Sequence, residues 1–160
     1  MKISVHLFNK PSIKFIALFS FLALLGFIDA SYLAAKYFFG GPIPCFIASG
    51  CDTVTTSVYA RILGVPVALL GAAYYGALLL LVVGYFDTKS LFVFLVASYA
   101  TGIGFLMSIW FVFVQAFLLQ AFCLYCLVSA GISSLLFLIS WTWRRNNKIG
   151  STPPETVIEE

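Results

Sequence analysis

Four apolar runs, near residues 13–33, 65–86, 91–114 and 122–143, dictate the architecture of this chain. Each has the roughly 20 mainly apolar residues that a helix needs to cross a hydrocarbon core. Within hydrocarbon every backbone N–H and C=O must be satisfied inside the segment, so runs of this length become helices. The residues between them cannot offset that pressure. The chain is 62% hydrophobic and 9% charged, against roughly 25% charged in a soluble domain. The expectation is an all-α integral membrane protein built as a four-transmembrane-helix bundle. A single membrane domain covers 1–143, an outer loop at 34–64 contains a short amphipathic helix, and a polar cytoplasmic tail occupies 144–160. Its partners are the lipid bilayer and what meets a bilayer, not nucleic acid. The first run exceeds the roughly 7–15 apolar residues of a signal peptide, so it is read as a retained helix.

Charge sets the orientation, because Lys and Arg near span ends stay cytoplasmic. With four spans, Lys2, Lys10, Lys14, Lys89, Arg144, Arg145 and Lys148 share one side, leaving only Lys36 and Arg61 on the other. Both termini are therefore expected in the cytoplasm. The loop before the second run and the start of the fourth run then face outward.

All four cysteines fall on that outer side: Cys45 and Cys51 in the loop, Cys123 and Cys126 at the mouth of the last run. An extracytoplasmic face permits disulfides, and a Cys-x-x-Cys favours redox or metal chemistry because its sulfurs can meet, ionise and exchange. Three helical residues rise about 4.5 Å, which puts Cys126 one turn deeper than Cys123 and within disulfide reach. A helix N-terminus favours the thiolate while low dielectric opposes it. Gly40-Gly41-Pro42-Ile43-Pro44 cannot continue a helix, so Cys45 rides a mobile arm. After the turn at Ser49-Gly50-Cys51-Asp52, Val54, Val58 and Ile62 recur at helical spacing, which predicts an amphipathic helix from Thr53 to Leu63 lying over the membrane face.

Other residues bear on what such sulfurs do. Phe122, Leu124 and Tyr125 make an apolar surround in which a flat ring can lie against the deeper sulfur, or else an interfacial aromatic belt. Asp29 is an ionisable group inside a span, which is a functional hypothesis by default; proton transfer and plain hydrogen bonding both fit it. Ala97, Thr101, Gly104 and Ser108 form a small-residue stripe for helix packing. His6 is the lone histidine, on the cytoplasmic side, so Cys-His catalysis and histidine ligation are excluded outside. Two other readings stay open: four thiolates holding a structural zinc in a membrane scaffold, and a packing-only protein with incidental disulfides.

The order Cys45-x5-Cys51, Ser57-Val58-Tyr59-Ala60, Gly64-Val65-Pro66-Val67-Ala68 and Cys123-Leu124-Tyr125-Cys126 resembles the vitamin K epoxide reductase family over about residues 13–143. Within that family it resembles the prokaryotic disulfide-forming homologues. The other class of disulfide-generating quinone reductases carries its tight and spaced pairs in the reverse order. The resemblance implies a thiol oxidoreductase in a prokaryotic plasma (inner) membrane. It reoxidises a soluble thioredoxin-like (DsbA-like) partner and delivers the electrons to a membrane quinone, of ubiquinone or menaquinone (vitamin K) type, with no metal. Cys45 is then the partner-facing sulfur, Cys51 the shuttle, Cys123 its acceptor and Cys126 the sulfur that meets the quinone. Ser57 matches a hydroxyl that the family places near the quinone, and Asp29 and Phe122 complete the expected quinone contacts. Some relatives carry a fused thioredoxin-like domain after the last span; here the partner is expected to be a separate protein. Vertebrate relatives have a vitamin K-binding tyrosine where Ala130 stands, which leaves reduction of vitamin K epoxide as the alternative task.

Overall fold

Ser12 opens the first helix by accepting the N–H of Phe15 on its side-chain oxygen at 3.4 Å, so helix α1 runs Ile13–Phe39. It stops at Gly40, whose φ of 73° returns its N–H to Lys36 O. In the computed structural model, which describes residues 11–40 and 50–149, the chain continues as helix α2 (Cys51–Thr56), a 3-10 turn (Val58–Ala60) and a two-stranded hairpin. That hairpin pairs β1 (Arg61–Ile62) with β2 (Val65–Pro66) antiparallel. Three long helices complete the order: α3 (Val67–Thr88), α4 (Leu91–Phe113), extended by a π-helical turn (Val114–Leu118), and α5 (Leu124–Ile149).

Among the described residues four helices are long and apolar enough to cross a membrane: Ile13–Phe39, Val67–Thr88, Leu91–Leu118 and Leu124–Asn146. The protein is a multi-pass membrane bundle. Two bounds differ most from the expectation. Helix α1 continues to Phe39 because no helix breaker intervenes before Gly40, and α5 runs on through the start of the expected polar tail to Ile149. Arg144 is carried in that extension with its guanidinium 4.5 Å over the Tyr99 ring, so the charge is covered by an aromatic face.

The expected helix from Thr53 to Leu63 forms only in part. It begins at Cys51 and ends at Thr56. Thr55, Thr56 and Ser57 turn their hydroxyls back onto the carbonyls of Cys51, Asp52 and Val54, which competes with helix propagation. Ser57 is already extended. Leu63 and Gly64 both take positive φ, 51° and 84°, the requirement of a tight two-residue hairpin turn. The hydrophobic period across residues 54–62 is thus split between a helical turn and a strand.

Around the bundle α1 packs on α3 and α5, and α4 packs on the same two, so α1 and α4 stand diagonally. Phe94 bridges that diagonal. It lies edge-on to Trp143 at 5.1 Å and meets Tyr85, Phe15 and Phe19 at 5.4–6.0 Å between ring centres. This aromatic cluster fills the end where α3 passes to α4. The other end, where α1 finishes and α5 begins, holds Cys51, Cys123 and Cys126 and opens into a cavity. The hairpin is tied to it through Arg61, whose guanidinium sits 5.3 Å over the Tyr37 ring of α1.

Candidate thiol redox site

The turn that carries the tight cysteine pair is built from below. Helix α4 ends in the π-helical turn, a form that tends to mark functional sites. Its second residue, Gln115, is buried at 2% exposure. The backbone oxygen of Gln115 accepts the N–H of Ala121 at 3.1 Å, and its side-chain Oε1 accepts the N–H of Cys123 at 2.8 Å. One residue thereby fixes both arms of the turn. Cys123 then occupies the capping position of α5: its carbonyl takes the first helical bond, from Leu127, and its Sγ accepts the N–H of Cys126 at 3.4 Å. Sulfur does here what a Ser or Asp oxygen does at an ordinary helix start. The Cys123 thiol is pulled down to about 7, chiefly by the Cys126 thiol hydrogen-bonded to it. Burial opposes that shift, and the backbone N–H groups of Cys126 and Tyr125 assist it.

A lid closes over this turn. Gly50, at the start of α2, lies so close to it that a Cβ there would meet Ala121 Cβ and the backbone nitrogen of Phe122, both at 2.9 Å. Only glycine permits that approach. The approach sets Cys51, 1% exposed, into one buried cluster with Cys123 and Val54, bordered by Leu119, Ala121, Tyr125 and Cys126. Cys51 is in a disulfide, whereas Cys123 and Cys126 are free thiols. Cys45 lies outside the described residues. Among the described residues no group of three or more His, Cys, Asp or Glu is arranged to hold a metal ion, and a sulfur in a disulfide is not a thiolate ligand.

Beneath the lid lies a cavity of about 310 Å³ with walls mainly of apolar side chains, among them Leu33, Leu70, Ile103 and Phe111. Cys126 opens into it, while Cys123 does not line it. Asp29 and Ser57 also line it. The Oδ2 of Asp29 is buried without a hydrogen-bond partner; Ser57 is engaged with Val54 O at 2.8 Å. Phe122 stands apart. It is 45% exposed and forms no part of the cavity wall, since its backbone lies under Gly50 on the lid side.

Further polar residues reach the cavity, among them Tyr74 and Tyr75 from α3 and Ser129 and Ser133 from α5. Tyr75 donates to Ser129 O at 2.9 Å. Two signals pointed to them. Ser129 and Ser133 follow Cys126 by three and seven residues and so share its helix face. Two adjacent tyrosines inside an apolar span also invite a polar explanation.

A dithiol at a helix start, capped by a lid that carries a further cysteine and opening into an apolar intramembrane cavity, is the layout of an integral-membrane oxidoreductase. The chain belongs to the vitamin K epoxide reductase family, whose model matches residues 17–141. No curated protein matches it.

Proposed function

We propose that this protein is a thiol-disulfide oxidoreductase that reoxidises a soluble thioredoxin-like partner and passes the electrons to a membrane quinone. The observation that carries the reading is the shared burial of Cys51 and Cys123 in one cluster, with Cys126 next to them and facing the cavity. These three sulfurs follow one another from the lid to the cavity.

Each step is attack by a thiolate on a disulfide sulfur. The partner's dithiol loses two electrons and two protons as it reduces the loop disulfide of Cys45 and Cys51. Cys51, now a thiolate, attacks Cys123 of an oxidised tight pair, forming a Cys51–Cys123 bond and expelling Cys126. Attack by Cys45 on Cys51 then frees Cys123. The loop pair is oxidised again and the tight pair holds two electrons. Cys123, capped and hydrogen-bonded, is the better leaving group on the loop side, and Cys126 is left facing the cavity.

A quinone, when bound, supplies a two-electron, two-proton acceptor. The cavity suits such a ring: it is at the lower end of the roughly 300–1,000 Å³ of ligand pockets, its walls are apolar, and a few buried polar atoms, Asp29 Oδ2 among them, have no partner within the protein. Cys126 would hold the reacting face of the ring, Ser57 would lie at its rim, and Asp29 would handle a proton. The acceptor is of ubiquinone or menaquinone type; Ala130, also in the cavity wall, offers no hydroxyl for the vitamin K epoxide alternative. The redox face is extracytoplasmic, in the plasma membrane of a prokaryote.

The test is purified protein in detergent with a reduced thioredoxin-like oxidase and a short-chain quinone, followed by quinone absorbance. Loss of absorbance should require all four sulfurs. Cys126→Ala should abolish turnover yet leave one exchange between the partner and the loop pair. Turnover that survives Cys126→Ala, or a wild type that never consumes quinone, rules the relay out.

A further inference from the structure

Two hydroxyls deep in the cavity take no part in the sulfur relay. Tyr74 OH and Ser133 Oγ are both buried, Ser133 at 2% exposure, and neither makes a well-directed hydrogen bond. Both stand beside Gly104 of α4, yet neither is aligned to bond the other. A serine in an apolar helix has an acceptor ready for its hydroxyl on the preceding turn. The neighbouring residue takes that option, Ser134 donating to Ala130 O at 2.8 Å, as do Ser20 on α1 and Ser108 on α4. Ser133 does not. Ser98 and Ser140 also lack partners, but they lie away from the cavity, whereas Ser133 and Tyr74 line it.

Gly104 of α4 stands at the same level. A Cβ there would run into Tyr74 OH and come within 2.9 Å of Ser133 Oγ. Three helices therefore converge on two donors, and the one side chain that would fill the gap is absent. Ser133 is seven residues beyond Cys126, about 10 Å along the helix. That is the reach of a ring that touches sulfur near one carbonyl and carries a second carbonyl on the opposite carbon.

We propose that Tyr74 and Ser133 form a carbonyl-binding subsite for the ring oxygen farthest from Cys126, with Gly104 leaving room for the two hydroxyls to meet it. The inference rests on reading the cavity as the quinone site and adds which end of the ring the chain holds, and with what. It makes the protein selective for rings with two opposed carbonyls.

Binding to the fully oxidised full-length protein, measured by equilibrium dialysis, tests it without turnover. The probes are menadione and α-tetralone, a fused bicyclic ketone with one carbonyl. Wild type should bind menadione about tenfold more tightly, the size of one ordinary hydrogen bond or slightly more. Tyr74→Phe and Ser133→Ala should each reduce that preference, and the double variant should abolish it, while disulfide exchange with the thioredoxin-like partner and thermal unfolding stay as in wild type. A preference that persists in the double variant overturns the subsite. So do variants that melt early but keep the preference, because the hydroxyls then serve each other. Equal wild-type binding of the two ketones overturns the subsite and spares the quinone reading; binding of neither overturns both.

Discussion

At the scale of single residues, the sulfurs work through what holds them. Gln115 is the clearest case: it accepts the N–H of Cys123 and so decides where the capping sulfur sits. Gln115→Leu keeps the volume and removes the acceptor, leaving a buried N–H unpaired, at about 1–3 kcal/mol of stability. Chemical or thermal unfolding of the reduced protein should register that loss. The same change should slow alkylation of Cys123 at neutral pH. Cys123 itself gives a pH prediction. With its thiol held near 7, the unfolded chain binds more protons than the native one between about 7 and the free cysteine value near 8.5. The reduced protein should therefore gain stability as pH rises through that window. Cys126→Ala removes the main cause of the shift and should move the alkylation profile of Cys123 upward; an unmoved profile would show that the helix start alone sets it. The cysteines were legible in the sequence because four of them, in two spacings, stand out in an apolar chain. What Gln115, Tyr74 and Ser133 do was not, although helix spacing sets Ser133 on the face of Cys126. Their roles depend on how a π-helical turn rotates one helix end and on which hydroxyls find a carbonyl, and neither follows from periodicity.

At the scale of elements, the lid departs most from what the sequence suggests. Val54, Val58 and Ile62 keep helical spacing, yet three successive hydroxyl side chains end the helix at Thr56 and a positive-φ pair turns the rest into a hairpin. The short result has a use. Six residues of α2 place Cys51 on the turn before Cys123, and Gly50 sets how closely. Gly50→Val inserts atoms where Ala121 and the Phe122 backbone already are, so α2 must lift. In the Cys45→Ala/Cys126→Ala background, mild oxidation should trap a Cys51–Cys123 disulfide. Adding Gly50→Val should slow its formation on the order of 100-fold, the penalty of about 1 Å of misplacement between reacting groups. Trapping at the original rate would mean that the lid reaches Cys123 by motion rather than by fit.

At the scale of the molecule, the two ends of the bundle divide the work. Phe94, Trp143, Tyr85 and Phe19 interlock at one end, and that packing lets the other end keep a cavity with unpaired polar atoms without collapsing. The sequence announces the four spans because hydrocarbon forces them, but hydropathy is blind to which face of each span meets which. Hence the cavity, made by α1, α3, α4 and α5 together, could not be read from any one run. Orientation is the remaining property of the whole chain, and the basic residues commit to it: Lys89 joins Lys14, Arg144 and Arg145 on one side, opposite the lid. In a variant with all four cysteines replaced by alanine, a single cysteine at Val58, which is 82% exposed on the lid, should react in whole cells with a membrane-impermeant maleimide. A single cysteine at Ser90, beside Lys89 in the connection between α3 and α4, should react only after the membrane is opened. The reverse pattern would put the lid in the reducing cytoplasm, where a disulfide at Cys51 would not persist and the electron flow proposed for the relay would have no oxidising compartment to serve.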